Sequence, residues 1–260
     1  METFVLKSGG KRRYEASGGE ADTSKDRTHE AATEHRPKKK QLASCRTAPT
    51  LHWTKIAGEN LDCDYVKLYS KKEADDIFLA CERSLIYNSG HLAKVQLFGK
   101  WVDIPRKQVA YGNDGLTYKF SGNTVPAKPW LHFLTDIRDH ITNITGFDFN
   151  FVLINRYKDG FDYIGEHKDD EKDLMKGCPI ASLSLGQPRD FIFRHQDSRG
   201  KNACRKIEPV NIELEHGSLL LMNHPTNQFW YHSLPQRKKL KNVRINLTFR
   251  KINCNHCKPV

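Results

Sequence analysis

The 260-residue sequence contains no apolar run long enough to span a membrane and no hydrophobic secretory segment after its first methionine. We therefore expect a soluble protein that is not exported and does not span a membrane. The seven cysteines are an odd number in a long chain, which argues against a disulfide framework and favours a reducing compartment. Cys254 and Cys257 have ligand-like spacing but no second pair, so we interpret them as free thiols in a frayed terminus, with zinc or redox use as the alternative.

Signatures of several functional classes are absent as well. The chain has neither a Gly-x-Ser-x-Gly nucleophile elbow nor a Walker phosphate-binding loop, which argues against hydrolases built on those motifs. Without a helix-turn-helix or zinc-finger signature, sequence-specific DNA binding has no support. The charge is one-sided, however: 42 Lys and Arg against 31 Asp and Glu give +11, which suggests a polyanionic partner, either nucleic acid or an anionic membrane surface.

Residues 1–50 are rich in Lys, Glu, Thr, Ser and Gly and carry few large apolar side chains. Such a segment buries too little surface to offset its ordering entropy, so we expect a disordered basic tail. Its cluster RPKKK at 36–40 is interpreted as a nuclear-import or DNA-tethering element, against the alternative of a solvated charge run. The isolated apolar patch TFVLK near the start is a candidate peptide motif for a partner.

Residues 51–260 are predicted to fold, and their first part carries helix signals. A capping box at Ser70 and Glu73, followed by an apolar stripe, predicts one helix. Pro129 opens a second apolar stripe that stops at Gly146, which predicts another helix.

After the second helix the apolar period changes to two, as expected for strands. In FNFVLINRY, one face is expected to carry Phe149, Phe151, Leu153, Asn155 and Tyr157. Further strands are predicted in RDFIFRH, PVNIELE, SLLLMNH and VRINLTFR. Two helices followed by many short strands predict an α+β, mainly β fold, in which helices pack on an antiparallel sandwich or jelly roll.

The stretch DYIGEHKDDEKD at 162–173 places one histidine among acids and lysines. A solvated turn is the plain interpretation. On a strand, however, His167 and Asp169 would point the same way, and a second histidine would complete a 2-His-1-carboxylate metal site with open positions for a cosubstrate and dioxygen. The candidates for that histidine are His195, His216, His224 and His232.

The stretch RINLTFR alternates polar and apolar residues, so Arg244 and Arg250 share a face with Asn246 and Thr248. Two arginines that project inward need anions, and a small dicarboxylate that chelates the metal would satisfy both. The alternative is a solvent-facing edge strand. Asn155 and Tyr157 precede the turn signal KDG, which would place them beside the same dicarboxylate as hydrogen-bond donors, unless Tyr157 is only a core residue.

In this order along the chain, the motifs resemble those of the AlkB family of Fe(II)/2-oxoglutarate dioxygenases. The resemblance covers roughly residues 52–252 and is strongest to the nuclear branch that prefers double-stranded DNA. It is carried by FGKWVDIPRKQVAYG, NFVLINRYKDG, IGEHKDDE, RDFIFRHQDSRGK, GSLLLMNHPTNQFWYHSLP and VRINLTFRKI. It implies a double-stranded β-helix (jelly roll) with N-terminal helices, a dioxygenase domain over 51–260, and a nucleotide-recognition lid over about 86–128.

The resemblance also implies roles for single residues. It selects His232, with His167 and Asp169, as the Fe(II) ligands, which are the catalytic residues. It implies that 2-oxoglutarate, a cosubstrate with dioxygen, is held by Asn155, Tyr157, Arg244, Thr248 and Arg250.

The hairpin pattern KVQLFGKWVDIPRKQ has Phe98 and Gly99 at its expected tip. Its aromatics would pack inward in an ordinary globular protein, whereas an apolar wedge can fill the gap left by a flipped base. The resemblance supports the wedge. It also implies that Phe120 and His167 sandwich the extruded base. The predicted substrate-binding set is Phe98, Gly99, Lys100, Tyr118, Lys119, Phe120 and Asp170.

Two basic segments, RHQDSRGK and QRKKLK, are predicted to contact phosphates, although either could be a solvated loop. The predicted phosphate contacts are Arg194, Arg199, Lys201, Arg237, Lys238 and Lys239.

The activity that the resemblance implies is oxidative demethylation of 1-methyladenine and 3-methylcytosine, and of etheno adducts as further candidates, in double-stranded DNA with release of formaldehyde. The alternatives are an oxygenase of RNA or single strands and a non-catalytic DNA-binding module. We expect a nuclear monomer without a membrane partner. Near relatives bind the replication sliding clamp through an N-terminal motif, but here Thr3 stands where they carry a basic residue, so clamp binding through Phe4 is a hypothesis.

Overall fold

The computed structural model describes residues 50–97, 99–120, 123–169, 171–201 and 203–253. The predictions for the tail before residue 50, for Phe98, for Asp170 and for the terminal cysteines fall outside the described residues. The side chains of Lys119 and Phe120 also fall outside them, although the backbone of both residues is described.

Within the described residues the chain is mostly β. The helices are α1 (Lys71–Ser84), α2 (His132–Thr145) and the short α3 (Thr226–Phe229). The strands are β1 (Thr54–Gly58), β2 (Leu61–Lys67), β3 (Lys94–Leu97), β4 (Lys100–Asp103), β5 (Lys107–Gly112), β6 (Thr117–Phe120), β7 (Asn123–Pro126), β8 (Lys128–Pro129), β9 (Phe151–Tyr157), β10 (Ile164–His167), β11 (Ile180–Gly186), β12 (Arg189–His195), β13 (Val210–Leu214), β14 (Ser218–Met222), β15 (Trp230–Leu234) and β16 (Arg244–Arg250).

Two sheets form the body of the fold. The large sheet has the order β1-β2-β14-β11-β16-β9-β5-β8 and is antiparallel except where β8 pairs with β5. The small sheet has the order β10-β15-β12-β13 and is antiparallel throughout. Apolar residues of both sheets, among them Met222 of the large sheet and Phe193 of the small one, share one buried cluster. The sheets therefore face each other as a jelly roll, as predicted.

The helices α1 and α2 cover the other face of the large sheet. Ala74 and Cys81 of α1 and Ile137 of α2 are buried in one cluster with sheet residues such as Leu183 and Leu247. Burying apolar surface on both faces of the central strands is the main source of stability for such a layered fold. No helix in the described ranges is both long and apolar enough to cross a membrane.

The first predicted helix is confirmed and the second begins later than predicted. Ser70 caps α1, and the reciprocal hydrogen bonds of a capping box with Glu73 are present. Pro129 does not open α2: it lies in β8, paired with β5, and Leu131 in extended conformation is the cap. The end is as predicted, because Gly146 adopts the left-handed conformation at φ 76° that favours glycine there.

The predicted strand at 149–157 also needs one correction. β9 starts at Phe151, and Phe149 packs with the helix-side cluster instead of sharing the face of Phe151 and Leu153. Side chains alternate between two faces only within the hydrogen-bonded strand. Phe149 precedes the start of β9, so it need not share the face of Phe151 and Leu153.

The predicted lid segment, about 86–128, has two kinds of structure. β3 and β4 form one hairpin, with Gly99 at φ 77° in its turn, and β6 and β7 form a second. In contrast, β5 and β8 belong to the large sheet. The segment therefore contributes to the body of the fold as well as to two hairpins.

Candidate active site

Two antiparallel strands of the small sheet bring the candidate metal ligands together. His167 at the end of β10 lies opposite His232 in β15, and their ring centroids are 4.3 Å apart. Asp169 follows just after β10, with Oδ1 3.7 Å from Nε2 of His167 and Oδ2 3.8 Å from Nε2 of His232. One ligand atom from each of the three residues lies within 4.8 Å of the others, which is the spacing that a single metal ion requires.

The other candidate histidines are engaged elsewhere. His195 is buried against Trp230, and its Nδ1 accepts a hydrogen bond from the backbone of Asp197. His216 accepts a hydrogen bond from the backbone of Gly186 and faces Asp75 with its second nitrogen. His224 is exposed on the surface. Only His232 of the four candidates lies beside His167 and Asp169.

The protonation of this cluster suits a cation. Burial, with His167 and Arg250 nearby, lowers the pKa of His232 to about 3, so its imidazole is neutral at neutral pH. Burial acts to raise the pKa of Asp169, but the charge of Arg250, with smaller contributions from His232 and His167, outweighs it and lowers that pKa to about 2. Nδ1 of His167 lies 2.9 Å from the carbonyl oxygen of Gly165; as a donor there it leaves Nε2 free to ligate.

β16 forms a polar wall in the same cavity. Arg244, Asn246, Thr248 and Arg250 line it, whereas the alternating apolar residues of β16 lie in the helix-side core. Two serines of the neighbouring strand β11 orient this wall: Ser184 accepts a hydrogen bond from Arg244 at 3.0 Å, and Ser182 accepts one from Asn246 at 2.8 Å. The predicted inward face of β16 is confirmed.

Arg244 is a buried cation with unused donors. The residue is 1 % exposed, and its Nε and Nη1 have no hydrogen-bond partner among the described residues. Burial lowers its pKa to about 10, although Tyr157 acts in the opposite direction, so the guanidinium remains charged at neutral pH. A charge in this position is costly unless an anion meets it. The unused nitrogens therefore fit a carboxylate of a bound ligand.

Arg250 connects the arginine wall to the candidate metal ligands. Its Nη2 donates to Oδ2 of Asp169 at 3.1 Å, and its Nε has no partner within the described ranges. All these groups line one cavity of about 580 Å³, together with Asn155 and Tyr157. This volume accommodates a small dicarboxylate together with part of a second ligand.

The comparisons with known proteins agree with this arrangement. A family model described as "2OG-Fe(II) oxygenase superfamily" matches residues 65–250. The chain belongs to the 2OG-Fe(II) oxygenase superfamily. Its metal is thus Fe(II), and its cosubstrates are 2-oxoglutarate and dioxygen, as predicted.

Relatives within this superfamily confirm the resemblance to AlkB proteins. The human protein named DNA oxidative demethylase ALKBH2 is 55% identical over 221 residues, which are 85% of this chain and 85% of that protein. The bovine protein of the same name is 51% identical over 258 residues, 97% of this chain and 92% of that protein. A solved structure titled "The structure of OsALKBH1" shares the fold, with a TM-score of 0.52 and 17% identity over 76% of this chain and 100% of that chain.

Other polar residues of this oxygenase's cavity were not predicted from its sequence. Arg106 donates from Nε to Oδ1 of Asn155 at 2.7 Å, and Gln108 donates to the same oxygen at 3.2 Å. Glu171 accepts a hydrogen bond from Tyr118. Ser182 and Ser184 carry a signal that sequence reasoning could have used, because ASLSLG alternates serine with leucine in a strand.

The predicted substrate-binding residues of the oxygenase lie in different parts of the fold. Gly99 and Lys100 lie at the tip of the β3–β4 hairpin, and Lys100 is exposed. Tyr118 is buried, with its ring 5.2 Å from the guanidinium of Arg250. The predicted base sandwich depends on the side chain of Phe120, which is outside the described residues.

The predicted phosphate contacts form two groups at the surface. Arg194 and Arg199 both pair with Glu166. Arg237 pairs with Asp190 and belongs to a loop that packs on Phe161. The remaining members of the set, all exposed, are Lys201, Lys238 and Lys239.

Proposed function

We propose that this oxygenase repairs N-alkylated bases in double-stranded DNA by oxidative demethylation. Its substrates would be 1-methyladenine and 3-methylcytosine, from which the methyl carbon leaves as formaldehyde, and etheno adducts, whose two-carbon bridge would leave as a different aldehyde, are further candidates. The observation that carries the proposal is the buried Arg244, which shares a cavity with His167, Asp169 and His232 and whose Nε and Nη1 have no hydrogen-bond partner among the described residues. An anion site beside a metal site is what 2-oxoglutarate chemistry needs, and a purely DNA-binding module needs neither.

In this proposal each side of the cavity has a separate task. His167, Asp169 and His232 would hold Fe(II), which supplies the oxidising chemistry when bound together with 2-oxoglutarate and dioxygen. Arg244 would pair with the distal carboxylate of 2-oxoglutarate. The neighbouring groups that would complete its binding are Asn155, Tyr157, Thr248 and Arg250.

The protein groups around these ligands have clear physical roles. Arg250 keeps Asp169 ionised and fixes the direction of its carboxylate. Ser184 fixes the guanidinium of Arg244, because it accepts a hydrogen bond from Nη2 and leaves Nε and Nη1 available to the ligand. A site preorganised in this way orders both substrates and limits the access of water.

The choice of DNA as substrate rests on charge and on the relatives. The chain has a net charge of +11. Arg194 and Arg199 pair with Glu166 in the strand that carries His167, and a second basic group packs on Phe161, just before that strand. The human and bovine relatives are both named DNA oxidative demethylase. A base inside a duplex must be extruded before its pairing edge reaches the cavity, at a cost of roughly a few kcal/mol. We assign Phe98 as the wedge that fills the gap and Phe120, Tyr118 and Asp170 as contacts of the extruded base.

A comparison of substrates tests this assignment. Formaldehyde release would be measured for 1-methyladenine in a duplex, in the matching single strand and in RNA of the same sequence, with unmodified duplex as the blank. We expect the duplex to be the best substrate. Faster turnover of RNA or of the single strand would support the alternative oxygenase and overturn the duplex assignment.

We also propose that the protein acts in the nucleus as a monomer and that its N-terminal segment binds the replication sliding clamp. Import would depend on RPKKK at 36–40 and clamp binding on Phe4. A fluorescent fusion with Lys38, Lys39 and Lys40 changed to Ala should lose nuclear enrichment. A Met1–Lys7 peptide should capture the clamp, and the same peptide with Phe4→Ala should not; equal capture by both would refute the clamp motif.

A further inference from the structure

A charged cluster lies directly beside the strand pair that carries His167 and His232. In β12, Phe193 lies opposite His232 and Arg194 lies opposite Tyr231. Side chains alternate between the two faces of a strand, so Arg194 and Tyr231 project from the face opposite to the metal-ligand side. Glu166, which immediately precedes His167, reaches this outer face and contacts Arg194.

Glu166 binds two arginines at once. Its Oε1 accepts a hydrogen bond from Nε of Arg194 at 2.9 Å, and its Oε2 accepts one from Nε of Arg199 at 2.5 Å. The guanidinium of Arg199 also lies over the ring of Tyr231, 4.1 Å from its centroid, and Nζ of Lys168 lies 4.8 Å from the same centroid. One carboxylate thus joins β10, the end of β12 and the loop that follows β12.

The way the arginines are held leaves part of each guanidinium available. Both donate to Glu166 through Nε, and their terminal nitrogens have no hydrogen-bond partner in the part of the chain that the structure describes. The side chains of Arg194 and Arg199 are 40% and 38% exposed. The free pair of terminal nitrogens is the edge of arginine that binds a phosphate in bidentate fashion.

We propose that Glu166 is a positioning residue for DNA, which holds the guanidinium groups of Arg194 and Arg199 in the orientation that receives a phosphate of the duplex. The inference rests on the proposed function, in which both arginines contact phosphates. Holding two long side chains before binding lowers the entropy that binding would otherwise cost. Because Glu166 is adjacent to His167, the same contact fixes the phosphate site relative to the metal site.

The sign of the effect separates this role from simple electrostatics. A carboxylate near a phosphate repels it, so removal of a negative charge from a basic surface should by itself strengthen DNA binding. If Glu166 positions the arginines, its removal should weaken DNA binding instead. Glu208 supplies a matched control, because it is exposed and its one ion pair among the described residues, with Lys206, spans 3.8 Å.

The experiment is equilibrium binding of an unmodified duplex by fluorescence anisotropy at fixed ionic strength. The variants are Glu166→Gln, Glu166→Asp, Glu208→Gln, the double variant Arg194→Gln with Arg199→Gln, and the triple variant that adds Glu166→Gln. We expect Glu166→Gln to raise Kd by about 5-fold, the order expected when two ordered side chains are released. Glu166→Asp should weaken binding as well, because its shorter side chain keeps the charge but cannot reach both arginines. Glu208→Gln should leave Kd unchanged or lower it.

The triple variant decides whether Glu166 acts through the arginines. Its Kd should equal that of the double variant, because there are no guanidinium groups left to orient. Tighter or unchanged binding by Glu166→Gln would overturn the inference, and so would an equal loss in the wild-type and double-variant backgrounds. If the double variant binds duplex as tightly as the wild type, the proposed phosphate contacts themselves are wrong. Co(II) binding by Glu166→Gln, measured by absorbance, should match the wild type, which verifies that the metal site is intact.

Discussion

Arg250 donates a hydrogen bond from Nη2 to Oδ2 of Asp169 at 3.1 Å, so a residue of the proposed 2-oxoglutarate set holds a residue of the proposed metal set. The side chains of both are almost completely buried, with 4% and 5% exposure. In such a place a charge is stable only when it is paired. The two halves of the cavity therefore depend on each other, and a change in one should be measurable in the other.

The first prediction concerns acid stability without metal. The pKa of Asp169 is lowered to about 2, so its carboxylate stabilises the fold above the unfolded pKa of about 4, and this stabilisation is lost as pH falls towards 2. Arg250→Gln removes the largest of the charges that lower this pKa. We expect a loss of roughly 3–5 kcal/mol in the free energy of unfolding at neutral pH, as for a broken buried ion pair. The loss should shrink towards about pH 3 as Asp169 of the variant takes up a proton.

Urea denaturation of the metal-free protein at several pH values measures this effect. Lys72→Gln is the control, because its partner Asp76 is exposed and the pair should contribute less than about 1 kcal/mol. A loss for Arg250→Gln that did not change with pH would contradict the account of Asp169.

The second prediction concerns the anion site. Arg244→Met should weaken 2-oxoglutarate binding by roughly 30-fold or more, because the ligand carboxylate loses a buried charged partner. Ser184→Ala should weaken it only a few-fold, since it removes a group that orients Arg244 and leaves the charge. Calorimetric titration of 2-oxoglutarate into the Mn(II)-loaded protein measures both. Equal affinity of Arg244→Met and the wild type would exclude Arg244 as the carboxylate partner.

The third prediction concerns metal removal. A ligand that binds only the folded state raises its stability, so Co(II) at about 100 times its Kd should stabilise the wild type by about 2.7 kcal/mol relative to the chelated protein. His232→Ala should lose most of this shift, whereas His195→Ala should retain it once its own packing defect is allowed for. Thermal unfolding with and without chelator gives the comparison. An undiminished metal shift in His232→Ala would place the metal elsewhere.

The fourth prediction concerns two glycines, Gly160 in the turn between β9 and β10 and Gly165 within β10. A Cβ added at Gly160 would lie 1.8 Å from the backbone oxygen of Arg237, whereas one added at Gly165 would meet nothing within 4 Å. Gly160→Ala should therefore destabilise the protein by about 2–4 kcal/mol and displace the loop that carries Arg237. Gly165→Ala should change the free energy of unfolding by less than about 1 kcal/mol. Similar unfolding midpoints for the two variants would show that this close approach does not constrain the loop.

The fifth prediction concerns the proposed wedge. Phe98→Ala should reduce repair of 1-methyladenine in a duplex far more than in a single strand, because only the duplex leaves a gap to fill. Phe147→Ala, at an exposed phenylalanine after α2, should affect neither substrate. The measurement is the ratio of initial rates on the two substrates. An equal loss on both would remove the wedge role from Phe98.

Local patterns were sufficient for much of this fold. The capping box of Ser70 and Glu73 predicted where α1 begins, and the alternation in RINLTFR predicted which side chains of β16 face the cavity. Both features depend on residues close together in the chain. The start of α2 was predicted wrongly at Pro129, because the pairing of β8 with β5 is a contact between distant residues that no local pattern records.

The candidate site likewise combines features that local patterns predict with features that depend on contacts between distant residues. The spacing of His167 and Asp169 was informative, but residue patterns alone left four histidines open, and only the pairing of β10 with β15 brings His232 opposite His167. The cavity roles of Arg106 and Glu171 were missed for the same reason. Their partners Asn155 and Tyr118 are 49 and 53 residues away in the chain.

The most direct test of the central claim is formaldehyde release from a duplex that contains 1-methyladenine, in the presence of Fe(II), with 2-oxoglutarate supplied or omitted. We predict formaldehyde and restored adenine only when 2-oxoglutarate is supplied, and none from the Asp169→Ala variant under the same conditions. Turnover that continues without 2-oxoglutarate, or that survives Asp169→Ala, would contradict the claim that His167, Asp169, His232 and Arg244 form the catalytic centre of a 2-oxoglutarate-dependent DNA demethylase.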